Sequence, residues 1–114
     1  MFLCFLAIAA SLDDGHLVDP FDGQLDIKNK TIRTVGNPHE RFMEDGLRPV
    51  RALRFASQLD FCIENSTFLE ISNCEVQKKI NSISLERFRD EFLKILKSPL
   101  PSVGLKLMDQ TGIL

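Results

Sequence analysis

Residues 40–56 read ERFMEDGLRPVRALRFA, and the interpretation of the whole chain depends on this stretch. Four of its apolar residues recur every three positions: Leu47, Val50, Leu53 and Ala56. This spacing places them on one side of a helix, so we predict a helix over residues 47–59 with the stripe buried. A short helix over residues 39–44 is predicted before it, with Phe42 facing the core.

The same stretch sets an acid and three arginines at three-residue intervals: Asp45, Arg48, Arg51 and Arg54. If the whole segment is helical, neighbours three apart share a face. That face offers a carboxylate acceptor beside guanidinium donors, the chemistry needed to hold a nucleobase edge and the phosphates behind it. The alternative is a solvated, salt-bridged face with Glu44 and Glu40 as partners, and spacing alone favours it.

If Asp45 and Arg48 act together on a nucleobase, their chemistry predicts which bases the site would accept. Cytosine and adenine both present an amino donor beside a ring-nitrogen acceptor, so Asp45 accepts from the amino group while Arg48 donates to the ring nitrogen. Guanine and uracil would place a carbonyl against the carboxylate. Such a mismatch of buried polar groups can discriminate against the wrong base by roughly a factor of 10⁴ or more. Arg51 and Arg54 follow one and two turns later, within reach of a triphosphate or of a structural carboxylate.

Length and composition limit the function classes. At 114 residues, with 44% apolar and 26% charged residues, the chain is at most one domain with a core of modest size, and its composition is typical of a folded protein. The net charge of −2 argues against a protein that binds nucleic acid over its whole surface. Any anion site must therefore come from local clustering of basic residues.

The first eleven residues imitate a secretory signal. They contain an apolar run and an Ala-x-Ala site, but no Lys or Arg precedes the run. About ten apolar residues are too few to span a bilayer as a helix. We favour a buried strand here and expect a cytoplasmic protein without a membrane segment. Two sequons, at Asn29 and Asn65, matter only if the chain is secreted.

The cysteines and histidines show no metal-binding spacing. Cys4, Cys62 and Cys74 form no C-x-x-C pair, and His16 and His39 do not complete a zinc set. We interpret the cysteines as reduced thiols in the core or near the surface.

The predicted fold of the whole chain is mainly α: a bundle of four to five helices preceded by a short β segment. Residues 13–16 form a turn, residues 17–20 are extended, residues 25–30 hold one helical turn and residues 31–35 form a strand. Further helices are predicted over residues 66–80, 85–97 and 103–109, capped by Asn65 or Ser66, by Ser84 and by Ser102.

Two other groups of charged residues are explained by local structure rather than by a binding site. Residues 19–26, DPFDGQLD, suggest a calcium loop but lack the EF-hand ligand spacing, so a turn whose aspartates bond backbone N–H groups is favoured. Arg87 and Glu91 stand four apart in an amphipathic helix and suggest an ion pair along its surface.

Together these segments resemble the class II tRNA nucleotidyltransferases, which comprise CCA-adding enzymes and bacterial poly(A) polymerases. Residues 17–26 look like the link between that family's head and neck. Residues 32–38, followed by the opening stretch, are similar to its nucleotide-selecting motif. Residues 83–92 match the supporting neck helix, and residues 104–114 match the stretch that follows. The resemblance covers nearly the whole chain from about residue 7.

The resemblance implies roles for individual residues. Asp45 and Arg48 would pair with the base of an incoming CTP or ATP, and Arg51 and Arg54 would complete the nucleotide pocket. Glu44 supports this motif, and Arg87 and Glu91 would brace the helix from behind. RNA, such as a tRNA 3′ end, is the implied partner. Pro49 departs from the family's usual aliphatic residue, so the helix either begins there or kinks, which affects the aim of Arg48.

The resemblance also implies an incomplete catalytic apparatus. In the family, transfer needs Mg²⁺ held by an Asp-x-Asp pair of the head, and this pair is missing from the sequence. We expect residues 1–36 to be a remnant of the head and residues 37–114 to be the neck and the start of the body. The chain is then a fragment or half of a split enzyme and is inactive alone. In the second case, a separate catalytic head chain is the implied partner.

Two rival interpretations remain open. One is a non-enzymatic helical RNA-binding or interaction module that has kept the neck for packing. The other is a small secreted helical protein, which would be cleaved near Ala10 and modified at Asn29 or Asn65.

Overall fold

Helices dominate the computed structural model, which describes residues 3–4, 9–10 and 17–113. Within these ranges the helices are α1 (Gly23–Lys28), α2 (Pro38–Glu44), α3 (Leu47–Leu59), α4 (Asn65–Ile71), α5 (Cys74–Asn81), α6 (Leu85–Leu96) and α7 (Pro101–Thr111). The strands are β1 (Ala9–Ala10), β2 (Leu17–Val18), β3 (Thr31–Ile32) and β4 (Cys62–Ile63). The predicted mainly α fold is confirmed. No helix in the described part is long and apolar enough to cross a bilayer.

Helix α3 lies at the centre of the fold, packed chiefly against α6 and α7 and also against α2. The predicted stripe is confirmed, because the four residues that define it are all buried: Leu47, Val50, Leu53 and Ala56. Phe42 of α2 is fully buried beside them. Around this centre the core gains one or two side chains from each neighbour, including Val76 of α5, Ile95 of α6 and Met108 of α7.

Pro49 neither starts nor displaces the central helix. α3 begins two residues earlier, at Leu47, so Pro49 occupies the third helical position and is buried there. The first four amides of a helix have no intrahelical acceptor, so the missing N–H of a proline costs no hydrogen bond at this position. Arg48 therefore belongs to the first turn of the helix.

The short strands tie the N-terminal segments to the helices. β1 pairs antiparallel with β2, whereas β3 pairs parallel with β4. Leu3, which is fully buried, forms an antiparallel bridge with Thr34. The rest of the strand expected near the N-terminus and the turn at residues 13–16 lie outside the described residues. The division at residue 36 stays a prediction, and the β3–β4 pair crosses it.

Two predicted helices need correction, and one short strand was missed. Residues 66–80 form two helices rather than one, because the chain turns after Ile71 and Asn73 caps α5 by accepting from the Glu75 amide at 2.9 Å. Strand β4 was not predicted. Helix α7 begins at Pro101 rather than at residue 103, and a proline is well suited to the first helical position because that position needs no N–H donor.

The turn at the aspartate-rich segment is confirmed. Asp19 Oδ1 accepts from the Gly23 amide at 2.6 Å, and Oδ2 accepts from the Gln24 amide at 2.8 Å. These bonds satisfy the first amides of α1 and hold the pKa of Asp19 below its usual value, chiefly through the Gln24 amide. The three cysteines are free thiols, with Cys4 buried and the other two exposed.

Gly104 sets the distance at which α7 crosses its neighbours. A Cβ at this position would lie 2.6 Å from Ile95 Cγ2 and 3.0 Å from Ser57 Oγ. Ser57 is itself fixed, because its hydroxyl contacts the Ser98 hydroxyl and donates to the Leu100 carbonyl, both at 2.7 Å. The close approach of the helices therefore requires a residue without a side chain.

We predict that Gly104→Ala lowers the free energy of unfolding by about 1–3 kcal/mol, because the added methyl group must displace a stiff isoleucine branch. Urea denaturation measures the change. Ser102→Ala, at an exposed position of the same helix, is the control. Alanine is the better helix former by about 1 kcal/mol, so an unchanged or raised stability for Gly104→Ala would contradict the close packing described here.

Candidate functional site

Asp45 lies between two helices rather than on one. It follows the last residue of α2 in an extended conformation, with φ −155° and ψ 121°, and α3 begins after Gly46. The expectation that the acid and the three arginines share one helical face is therefore wrong for Asp45. The three arginines do lie on α3.

Two donors fix the carboxylate of Asp45. Oδ1 accepts from the Leu47 amide at 3.0 Å, and Oδ2 accepts from Arg87 Nη2 at 2.9 Å. Burial disfavours the charged form of this carboxyl and on its own would raise the pKa. The Leu47 amide and Arg87 outweigh burial, so the pKa of Asp45 lies below its usual value. The group stays an ionised acceptor, and 31% of the side chain is exposed.

Arg48 is held at the junction of α2 and α3. Its Nη1 atom contacts Glu44 Oε1 at 2.5 Å and donates to the Arg41 carbonyl at 3.2 Å. The same Glu44 oxygen lies 3.1 Å from Arg41 Nε, so one carboxylate serves two guanidinium groups. The alternative of a salt-bridged face is therefore correct for Glu44, which pairs with Arg48. Glu40 instead lies 3.6 Å from Arg41, which is outside the set of three arginines.

Arg51 and Arg54 converge on a structural carboxylate. Glu91 of α6 is buried, and its Oε1 accepts from Arg51 Nε at 3.1 Å. Arg54 Nε lies 2.8 Å from Glu91 Oε2, an ion pair without the alignment of a hydrogen bond. A buried carboxylate is strongly destabilising unless it is paired, so these contacts tie α3 to α6. The spacing placed Arg51 and Arg54 within reach of either a triphosphate or a structural carboxylate, and in the structure they contact a structural carboxylate.

Arg87 and Glu91 do not pair with each other along α6. Arg87 reaches Asp45, forty-two residues away in sequence, and Glu91 reaches the arginines of α3. Both side chains thus contact residues 45–54 from α6, one at Asp45 and the other at the arginines of α3. Ser84 caps this helix as predicted, accepting from the Arg87 amide at 3.3 Å.

A cavity of about 410 Å³ opens beside Asp45, bordered by Glu44, Lys79, Ser84 and Arg87. Gly46 forms part of its wall, and a side chain there would overlap the carbonyl of Lys79 at the end of α5. The turn between α2 and α3 therefore packs directly on backbone. The site as a whole is an ionised carboxylate and a guanidinium group on either side of a tight turn, with a polar cavity alongside.

Comparison with known proteins assigns the family. Residues 60–114 match the family described as "Probable RNA and SrmB- binding site of polymerase A". Over 93 residues the chain is 53% identical to the CCA-adding enzyme of Enterococcus faecalis, across 81% of this chain and 22% of that enzyme. This chain belongs to the family of tRNA nucleotidyltransferases and poly(A) polymerases.

Solved CCA-adding enzymes share the whole described fold. The Bacillus stearothermophilus enzyme in complex with CTP superposes with a TM-score of 0.92 at 37% identity, over 98% of this chain and 28% of its own. The Thermotoga maritima enzyme complexed with tRNA superposes with a TM-score of 0.89 at 28% identity, over 99% of this chain and 28% of its own. The chain thus spans about a quarter of the length of these nucleotidyltransferases.

The Mg²⁺ that the resemblance implies does not fit the carboxylates at this site. Glu44, Asp45 and Glu91 each face at least one arginine at ion-pair distance. No group of three or more potential metal ligands occurs among the described residues. The described side chains of this site carry charges and hydrogen-bonding groups, and no metal-dependent step is assigned to them.

Two features of the site were not predicted from sequence. One is the contact between Gly46 and the Lys79 carbonyl. An Asp-Gly pair is typical of a turn, but it does not identify the partner on which the turn packs. The other is His39, whose ring contacts carboxylates of two further helices. His39 was considered only as a zinc ligand, and nothing in its sequence neighbourhood identifies partners more than thirty residues away.

We predict that Arg87→Met raises the pKa of Asp45, because the variant removes a donor and a positive charge from a carboxyl whose pKa is depressed. An aspartate whose pKa is lower in the folded than in the unfolded state stabilises the fold at pH values above its unfolded pKa, which is about 4. This stabilisation is lost as the pH falls through the pKa of the folded state. The variant should therefore lose less stability on acidification. Carbon-detected NMR titration measures the shift; Arg89→Met, exposed on the same helix, is the control.

Proposed function

We propose that this chain forms the nucleotide-selecting and RNA-proximal part of a CCA-adding enzyme or poly(A) polymerase, choosing CTP or ATP for addition to an RNA 3′ end. Support comes from its relatives: one solved neighbour holds CTP and another holds tRNA. The match of residues 60–114 to an RNA-binding family points the same way. We expect such a protein to work in the cytoplasm.

The observation that carries the proposal is the fixed, ionised carboxylate of Asp45. A carboxylate accepts hydrogen bonds and cannot donate them, and each of its oxygens can accept a second bond. Asp45 therefore suits the amino group of cytosine or adenine and repels the carbonyl of guanine or uracil at the same place. Arg48, three residues on and 29% exposed, is the donor we assign to the ring nitrogen.

Arg51 and Arg54 contribute to this pocket in different degrees. The Arg51 side chain is 41% exposed, and the Arg54 side chain only 15%. We propose that Arg51 reaches the nucleotide beyond the base, while Arg54 mainly keeps α3 in place through Glu91. Glu44, Arg87 and Glu91 are the supporting residues, since each contacts a member of the nucleotide-selecting set.

We predict that Asp45→Asn weakens binding of CTP about tenfold while reducing the rejection of UTP, because the amide adds a donor where the carboxylate has only acceptors. Isothermal titration calorimetry with CTP, ATP, GTP and UTP gives the four affinities. Asp90→Asn, exposed on α6, is the matched control. Equal binding of all four nucleotides by the unsubstituted chain would contradict base selection by Asp45.

Transfer itself is proposed to need metal-binding carboxylates that residues 1–114 do not include. We predict that the chain alone adds no nucleotide to a tRNA lacking its 3′ CCA when supplied with CTP, ATP and Mg²⁺. Gel analysis of the labelled tRNA measures addition, and the complete Bacillus stearothermophilus enzyme is the positive control. Turnover by the isolated chain would contradict this part of the proposal. Binding of tRNA without selective CTP binding would instead favour a non-enzymatic RNA-binding module.

A further inference from the structure

His39, the second residue of α2, lies between carboxylates of two other helices. Its Nδ1 atom is 3.1 Å from Glu70 Oε2 of α4, and its Nε2 atom is 3.3 Å from Glu75 Oε2 of α5. The two ring nitrogens point in divergent directions, so the two acids cannot share a metal ion with the ring. The arrangement is a bridge that joins the start of α2 to both α4 and α5.

The protonation state of the ring decides its charge. Neutral imidazole can hydrogen-bond Glu70 through Nδ1 but carries no charge to attract Glu75. The imidazolium ion donates to Glu70 and also pairs with the Glu75 carboxylate by charge, without the alignment of a second hydrogen bond. The bridge is complete only in the protonated form.

Helix α2 connects this bridge to the nucleotide site. It has seven residues, so it is a rigid segment of roughly 10 Å. His39 lies at its start, Phe42 is buried in its middle and Asp45 follows its last residue. A change in how the first turn is anchored is therefore passed to the position of the Asp45 backbone, while Leu47 and Arg87 orient the carboxylate.

We propose that His39 is a positioning residue for nucleotide selection: by bridging Glu70 and Glu75 in its protonated form, it anchors α2 and thereby places Asp45. This makes selective CTP or ATP binding stronger in mildly acidic than in alkaline solution. The inference rests on the role proposed above for Asp45 and deepens it by adding a pH-dependent control of the same site.

The charges around His39 favour this assignment. The groups that face the ring are Glu70 from α4 and Glu75 from α5, both acidic. The Arg48 guanidinium of α3 is held at the far end of α2, by Glu44 and the Arg41 carbonyl. Since the Glu70 side chain is 28% exposed and that of Glu75 is 67% exposed, solvent screens the Glu70 contact less and it should contribute more.

The test measures CTP affinity by calorimetry at about pH 5.5 and about pH 8.5, on either side of the range in which histidine titrates. We expect the unsubstituted chain to bind CTP about threefold more weakly at the higher pH, and His39→Gln to lose this difference. Titration of the nucleotide phosphate is common to both chains, so comparing them removes it. His16→Gln removes the chain's other histidine and is the matched control.

Variants of the two acids keep the test decisive if His39→Gln does not fold. Glu70→Gln should reduce the pH dependence more than Glu75→Gln, in line with their exposure. The same pH dependence in the unsubstituted chain and in the His39 and Glu70 variants would overturn this inference and leave the proposed function intact. Failure of the unsubstituted chain to bind CTP selectively at either pH would overturn the proposed function and the inference together.

Discussion

The paired charge of Glu91 is the constraint on which the rest of the structure depends. Its side chain is 3% exposed, and Arg51 and Arg54 both reach it from α3. A buried carboxylate left without a partner is strongly destabilising, so α3 and α6 must keep the separation and rotation that this pairing needs. Fixing α6 against α3 also fixes Arg87, one turn before Glu91, at the place where it meets Asp45.

The packing of α7 adds a second constraint on the same two helices. Gly104 allows α7 to approach Ile95 of α6 and Ser57 of α3 closely enough that no side chain fits between them. The ion pairs of Glu91, at the middle of α6, and this close crossing near its end act at different points along the helix. Together they leave α6 little freedom to slide or turn, which preorganises the donors that face Asp45.

Elements with a strong local signal were predictable from sequence. α3 was predicted with its observed bounds because its apolar stripe has a clear helical period, and the start of α6 was predicted because Ser84 is a good cap. Residues 66–80 were wrongly merged because Asn73 was not recognised as a cap between two helices. β4 was missed because a two-residue strand depends on its partner, β3, for its existence.

The residues of the candidate site were proposed from the sequence, but their contacts could not be predicted from it. The spacing identified Asp45 and the arginines, and the resemblance added Arg87 and Glu91. Spacing along one segment cannot show that Asp45 leaves the helix, or that the partners of Arg51 and Arg54 lie some forty residues away. These contacts depend on how α2, α3 and α6 pack, which is a property of the folded chain rather than of any single segment.

The placement of Asp45 off the helix strengthens the physical case for base selection. On a helix, its carboxylate would depend on a flexible side chain and on the arginine one turn away. In the turn, the Leu47 amide and Arg87 fix both oxygens, and a fixed acceptor rejects a mismatched carbonyl more strongly than a mobile one that can turn aside. If Asp45 selects the base as proposed, its selectivity comes from this rigidity as much as from its charge.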